Sequence, residues 1–354
     1  MEIYRRKEMK RIISTLMALI LMVFAVGCSN KKENKESKEN NKATQTQAAQ
    51  EAKELKKVDF ILDWTPNTNH TGIYVAKEKG YLKDVGIDLD IKLPPEDSSS
   101  DLVINNKAPF TIYFQDSMAN KLAKGAGITA VAAIVEHNTS GIISSKDKEI
   151  LSPKDLEGKK YGTWNDPIEL AMIKNIMERE NADFSKLELV PNTDANSIVA
   201  IENKVFDSAW IYYGWDGIMA KSMNLDTNFF YLKDFAKELD YYSPVIIANN
   251  DYLKENKEEA ENILSAIKKG YIYAMDHPEE AAEILIKYAP ELKDKKDFVI
   301  ESQKYLSKQY AEDKNNWGKI DPARWNAFYN WLNENKITEK PLEENMGFSN
   351  DYLK

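Results

Sequence analysis

The run Leu62-Asp63-Trp64-Thr65-Pro66-Asn67-Thr68-Asn69-His70-Thr71-Gly72 is the densest cluster of chemically capable side chains in the sequence. Trp64 offers a broad apolar face, while Asp63, Asn67, Asn69 and His70 supply hydrogen-bond donors and acceptors. Stacking combined with recognition of a ring edge suits a planar heterocycle. A plainer reading puts Trp64 in the core and leaves the asparagines to build a turn. A second run, Tyr161-Gly162-Thr163-Trp164-Asn165-Asp166-Pro167-Ile168-Glu169, carries the same signature. Trp164 and Asn165 are candidates there, and Glu169 falls in the first turn behind Pro167. From that place its carboxylate can accept from an exocyclic amino group or a protonated ring nitrogen, or merely complement the helix dipole. A third run, Trp210-Ile211-Tyr212-Tyr213-Gly214-Trp215-Asp216-Gly217, offers Tyr212 and Trp215 as binding residues. Trp210, earlier in the same strand, is expected in the core. Tyr113, near the end of an earlier strand, completes the set.

The missing residue types narrow the ligand. Beyond Lys57 the only arginines are Arg179 and Arg324, so none of these runs carries the guanidinium fork that clamps a carboxylate, sulfonate or phosphate. A neutral or cationic aromatic ligand fits better than an anion, although lysines could substitute. His70, His137 and His277 show no metal-ligand spacing, and neither a nucleophile elbow nor a phosphate-binding loop is present. The reading therefore assigns no catalytic residue, no metal and no cofactor.

To bring these runs together, the chain must place strand ends beside one another. Short apolar runs at 58–62, 87–93, 110–114 and 128–135 read as strands, with helical stretches near 72–78 and 100–106. A second set follows: strands at 160–164, 187–190 and 206–212, with helices at 168–180 and 195–203. A return strand at 241–248 precedes helices at 257–275, 278–288, 295–310 and 322–334. Alternating β and α elements predict mainly parallel sheets. The order predicts an α/β architecture of two lobes: residues 57–143 plus 249–354, and residues 144–248. Hinge crossings are expected at 138–144 and 242–248, with the ligand cleft between the lobes; two tandem domains are the other arrangement. No internal repeat is evident in the sequence.

The chain has 354 residues, a net charge of -9 and 30% charged residues. Its mean hydropathy of -0.55 excludes a polytopic membrane protein. The acidic balance lacks the footprint of nucleic-acid binding, so no nucleic-acid partner is expected. From Met9 the sequence runs through two basic residues and an apolar stretch to Ala25-Val26-Gly27-Cys28. This is a secretory signal layout, with Met1 or Met9 as the start and residues 1–27 as the expected signal peptide. Ala25 to Cys28 is similar to the lipobox of bacterial lipoproteins, which implies lipidation of Cys28; an uncleaved single-pass anchor is the other reading. Residues 28–56 are polar and almost free of aliphatic side chains, which predicts a flexible tether.

LDWTPNTNHTG, together with Glu136-His137-Asn138-Thr139-Ser140-Gly141, the loop from Gly162 to Glu169, Tyr213-Gly214-Trp215 and Asp240-Tyr241-Tyr242-Ser243-Pro244-Val245, resembles one family over most of the mature chain. That family joins bacterial thiamine-pyrimidine-precursor binding proteins with the fungal pyrimidine-precursor synthases. The resemblance implies the type II periplasmic-binding-protein fold, an aminopyrimidine ligand, and delivery to the permease and ATPase of an ATP-binding-cassette (ABC) importer. It implies that Trp64 and second-lobe aromatics stack on the pyrimidine, that Asn67 bonds its edge, and that Glu169 contacts its amino face. The synthases consume a histidine at the place matched by His70 and carry a cysteine-rich iron motif, which this chain lacks. The expectation is a lipid-anchored, monomeric receptor on the extracytoplasmic face of the membrane, and no enzyme. A riboflavin receptor, or less readily a synthase, is the alternative.

Overall fold

The computed structural model describes residues 54–95, 98–192 and 196–354. The expected signal peptide, Cys28, the tether up to residue 53, and Ala195 lie outside the described residues.

Among the described residues, ten strands build two five-stranded sheets. The first contains β1 (Lys56–Ile61), β2 (Ile87–Lys92), β3 (Phe110–Tyr113), β4 (Ile128–Ala133) and β10 (Val245–Asn249), in the order β2-β1-β3-β10-β4. The second contains β5 (Ser140–Ser145), β6 (Lys160–Thr163), β7 (Glu188–Pro191), β8 (Ser208–Tyr212) and β9 (Thr227–Tyr231), in the order β7-β6-β8-β5-β9. In each sheet three strands pair in parallel, and the next-to-last strand runs antiparallel to both neighbours. The two sheets thus share one topology although the sequence shows no repeat.

The expectation of mainly parallel sheets is corrected to mixed ones. β5 and β10 are the strands beside the crossings, and each enters its sheet opposite in direction to the strands at its sides. β5 and β9 had no clear sequence signal, because Ser140-Gly141-Ile142-Ile143-Ser144-Ser145 holds only two large apolar residues. The chain passes between sheets at 134–139 and 241–244, slightly before the expected boundaries at 143/144 and 248/249. Asp240 ties these crossings together: Oδ2 lies 2.6 Å from His137 Nδ1, and Oδ1 accepts the Asn138 N–H at 2.9 Å.

The longer helices are α1 (Thr71–Glu78), α2 (Gln115–Ala123), α3 (Pro167–Arg179), α4 (Lys257–Asp276), α5 (Pro278–Tyr288), α6 (Lys296–Leu306) and α7 (Pro322–Glu334). Among the described residues, no helix is long and apolar enough to cross a membrane. Both faces of the first sheet are covered, so β1 buries Val58 and Phe60 on one side and Ile61 on the other. Full burial of Phe60 and Phe110, stacked 6.2 Å apart, stabilises the sheet by roughly 1.5–3 kcal/mol each. Helices α1 and α4 approach so closely that a Cβ on Gly270 would stand 2.0 Å from the Gly72 carbonyl oxygen. Only glycine fits there. This packing fixes α1, and with it the loop that leaves β1 for the cleft. Ligands of open α/β sheets bind outside the carboxyl ends of strands, and the ends of β1, β3, β6 and β8 all converge on one cavity.

Candidate functional site

After β1 the chain forms a single tight turn, Thr68–His70, capped by Asn67. Asn67 Oδ1 accepts the Asn69 N–H at 2.9 Å, and His70 Nδ1 accepts the Asn67 N–H at 3.2 Å. An acceptor role at Nδ1 places the ring proton on Nε2, which donates to Asp63 Oδ1 at 2.6 Å. His70 is fully buried, and the Tyr271 hydroxyl donates to the Asn69 carbonyl at 2.6 Å. These bonds hold the turn rigidly, present Asp63, Asn67 and Asn69 to the cavity, and leave Trp64 42% exposed on its wall.

The second lobe supplies a similar loop between β6 and α3. Asp166 caps the helix, accepting the N–H groups of Ile168 and Glu169 at 2.8 and 3.1 Å. Glu169 is buried and turns back toward its own loop. Its Oε1 accepts the Tyr161 hydroxyl at 2.9 Å, and its Oε2 accepts the Thr163 hydroxyl at 2.9 Å and the Trp164 N–H at 3.1 Å. Burial raises the pKa of this carboxyl, and the hydrogen bonds oppose that rise. Trp164, 49% exposed, is thereby held against the cavity. Asn165 takes a left-handed φ of 60° and is exposed, a turn residue.

Behind β8 the chain makes a five-residue π turn, Tyr213–Gly217. Such wide turns redirect side chains at functional sites. Here Trp215 and Asp216 reach the cavity, with Trp215 packed edge-on against Phe298 at 4.6 Å. Burial pushes the Asp216 carboxyl up to about 6, although the Tyr212 N–H pulls it down. Trp210, expected in the core, is only 5% exposed and yet lines the cavity. A residue shielded from bulk water can still wall an internal chamber. Ring centroids run 5.4 Å from Trp164 to Trp210, 6.1 Å from Trp210 to Tyr212, and 6.3 Å from Tyr212 to Phe114. The aromatic wall therefore joins both lobes. The Tyr212 hydroxyl is 2.9 Å from Ser243 Oγ, at the second crossing.

The cavity measures about 300 Å³, room for a single small ring system. Its described lining carries the carboxylates of Asp63 and Asp216 and no lysine, arginine or histidine. Flat apolar faces, two acceptor carboxyls and the Asn67 and Asn69 amides can grip a ring that bears amino groups.

Of the residues singled out in the sequence, Asp63, Trp64, Asn67, Asn69, Trp164, Tyr212 and Trp215 meet on this cavity. Four others stand off its wall. His70 is buried beneath Asp63, Glu169 has both oxygens engaged by its own loop, Asn165 faces out, and Tyr113 yields the wall to Phe114. Sequence reasoning missed Phe114, Trp210, Asp216, Ser197, Ile211 and Pro244. Phe114 and Asp216 could have been found, because Phe114 directly follows the end of β3 and Asp216 lies in the turn that follows β8. Ser197 and Pro244 had no local signal.

Comparison with known proteins agrees with this architecture. The profile of the NMT1/THI5 like family matches residues 67–281. The formylaminopyrimidine-binding protein of Halalkalibacterium halodurans is 24% identical over 299 residues, covering 82% of this chain and 89% of that protein. The 4-amino-5-hydroxymethyl-2-methylpyrimidine phosphate synthase THI5 of Saccharomyces cerevisiae is also 24% identical, covering 67% of this chain and 72% of its own. Among solved structures, a putative sulfonate ABC transporter periplasmic sulfonate-binding protein, SsuA from Methylobacillus flagellatus, aligns with a TM-score of 0.61 at 16% identity. That alignment covers 85% of this chain and 93% of the other. The fold is that of the periplasmic binding proteins.

Proposed function

Because the chain belongs to the NMT1/THI5 like family, we propose that it captures a thiamine pyrimidine precursor of the formylaminopyrimidine or hydroxymethylpyrimidine type and hands it to an ABC importer. One observation carries this reading. The cavity sets Asp63 and Asp216 among aromatic faces and offers no cationic side chain in its described lining. An aminopyrimidine is flat, donates from its amino group, and becomes a cation when its ring nitrogen is protonated, so it matches both features. A sulfonate or a carboxylate would meet two carboxyls with no compensating charge.

The protein acts in this reading as a binder and not an enzyme. His70, which the family resemblance matches to the histidine consumed by the synthases, is fully buried, and both its ring nitrogens are committed to Asn67 and Asp63. Lipidation of Cys28 would hold the monomeric receptor at the extracytoplasmic membrane face, near its permease. In a bacterial host, Cys28→Ala is then expected to move the protein from the membrane fraction to the soluble one; retention in the membrane would refute the lipid anchor.

Isothermal calorimetry with formylaminopyrimidine, hydroxymethylpyrimidine, riboflavin and taurine tests the ligand. Tight binding of a pyrimidine with no heat from taurine is expected; tight binding of taurine or riboflavin alone would overturn the assignment. Incubation with pyridoxal phosphate and iron, followed by mass spectrometry, should leave His70 intact.

A further inference from the structure

Helix α6 belongs by sequence to the first lobe, yet it packs against the π turn that carries Trp215 and Asp216 out of the second. Trp215 and Ile218 share one apolar core with Phe298, Val299 and Leu306. The approach is close, because a Cβ on Gly214 would stand 2.8 Å from Leu306 Cδ2. Nearby, the Tyr305 ring lies 5.2 Å from that of Tyr213, and its hydroxyl is 2.9 Å from the Tyr231 hydroxyl.

Within this contact, Ser302 touches both binding loops. Its hydroxyl donates to the Gly214 carbonyl, and its Oγ lies 2.6 Å from Thr68 Oγ1. A serine has one proton to give, so with that proton on the Gly214 carbonyl, the Thr68 hydroxyl is the donor of the second bond. Ser302 and Thr68 are fully buried. Thr68 stands between Asn67 and Asn69, and Gly214 directly precedes Trp215 and Asp216; all four of these neighbours line the cavity. One buried side chain thus spans the two turns that grip the ligand from opposite lobes.

We propose that Ser302 is a positioning residue of the binding site, which touches no ligand and fixes the register between the Asn67–Asn69 turn and the Trp215–Asp216 turn. The inference rests on the reading of the cavity as a pyrimidine site and deepens it. Apolar contacts such as Phe298 on Trp215 are non-directional and tolerate a slide of one turn past the other. Hydrogen bonds weaken steeply outside a narrow range of distance and angle, so the pair made by Ser302 selects one register. In that register the amides of the first lobe and the ring face and carboxyl of the second meet the same heterocycle.

Calorimetry with formylaminopyrimidine, well below the melting temperature of each variant, tests this. Ser302→Ala and Thr68→Val should each bind about tenfold more weakly than the native protein, whereas Thr68→Ser, which keeps the hydroxyl, should stay within about twofold. Trp215→Leu removes the ring that is positioned. In that background Ser302→Ala should cost less than about a further threefold, because residues that act through one another are not additive. A purely structural serine would lower the melting temperature and leave affinity alone. Native affinity in Ser302→Ala, equal losses in Thr68→Ser and Thr68→Val, or a full tenfold loss in the Trp215→Leu background would overturn the positioning role while the pyrimidine reading stands. If Ser302→Ala does not fold, the two Thr68 variants decide by the same comparison. Absence of formylaminopyrimidine binding by the native protein would overturn both.

Discussion

Trp64 and Trp164 leave the carboxyl ends of β1 and β6, strands that hold the same place in their respective sheets, and both open onto one cavity. Each lobe thus offers a tryptophan from the equivalent point of one shared topology. At 42% and 49% exposure, these rings contribute little to the core and remain free to stack on a ligand.

Trp64→Ala and Trp164→Ala should each weaken pyrimidine binding by about 1–3 kcal/mol, the usual cost of losing a base-stacking ring. Urea midpoints should move little, since both side chains are largely wet already. Calorimetry beside urea denaturation separates the effects. A large loss of stability with unchanged affinity would return these residues to the core.

Glu169 illustrates the opposite case. Glu169→Ala would strip the buried Tyr161 and Thr163 hydroxyls of their acceptor, and the expected cost in stability is about 1–3 kcal/mol. Affinity should fall as well, through release of the Trp164 backbone, and Glu169→Gln should recover part of both. Urea unfolding checks the first quantity and calorimetry the second. Full stability in the alanine variant would show that the loop holds itself.

His70→Phe should destabilise the protein by about 1–3 kcal/mol, because it strips Asp63 and the Asn67 N–H of their partner. With Asp63 released from the imidazole, pyrimidine affinity should also drop, measurably by titration. An unaltered affinity would show that the Asp63 carboxyl is positioned without the imidazole.

Burial pushes Asp116 and Asp216 up to about 6, so the folded protein holds these protons more tightly than the unfolded chain does. The stability they contribute is full below the ordinary carboxylate range and is lost as pH rises through about 6. The stability of the native protein minus that of Asp216→Asn should therefore decline between about pH 4 and 7 in urea titrations. A ligand bearing a ring cation needs Asp216 ionised, so loss of that carboxylate should also weaken its binding most above pH 6. A difference in stability that does not vary with pH would show that Asp216 keeps its ordinary titration.

Much of the molecule could be read before folding. The 2- and 3.6-residue periods placed β1, β2, β3, β4, α1, α3 and the C-terminal helices within a few residues, because those patterns depend only on which side chains share a face. The run from Asp63 to His70 advertised its polar and aromatic content, and the scarcity of arginine argued against anionic ligands. Local pattern was silent where the partner is distant. β5 and β10 became antiparallel members of their sheets only because the chain crosses between lobes on either side of them.

The sequence by itself determined the element types, the acidic character and the inventory of rings available for binding, since these follow from composition and near-neighbour spacing. Only the tertiary structure decided which of those rings meet. It brought Phe114 and Trp210 into one wall from residues 96 positions apart, and it turned Glu169 and His70 inward. The reason is geometric. A carboxylate bonds whichever donors the completed fold sets within about 3 Å, and an internal cavity makes a binding surface of side chains that hydrophobicity alone consigns to the core.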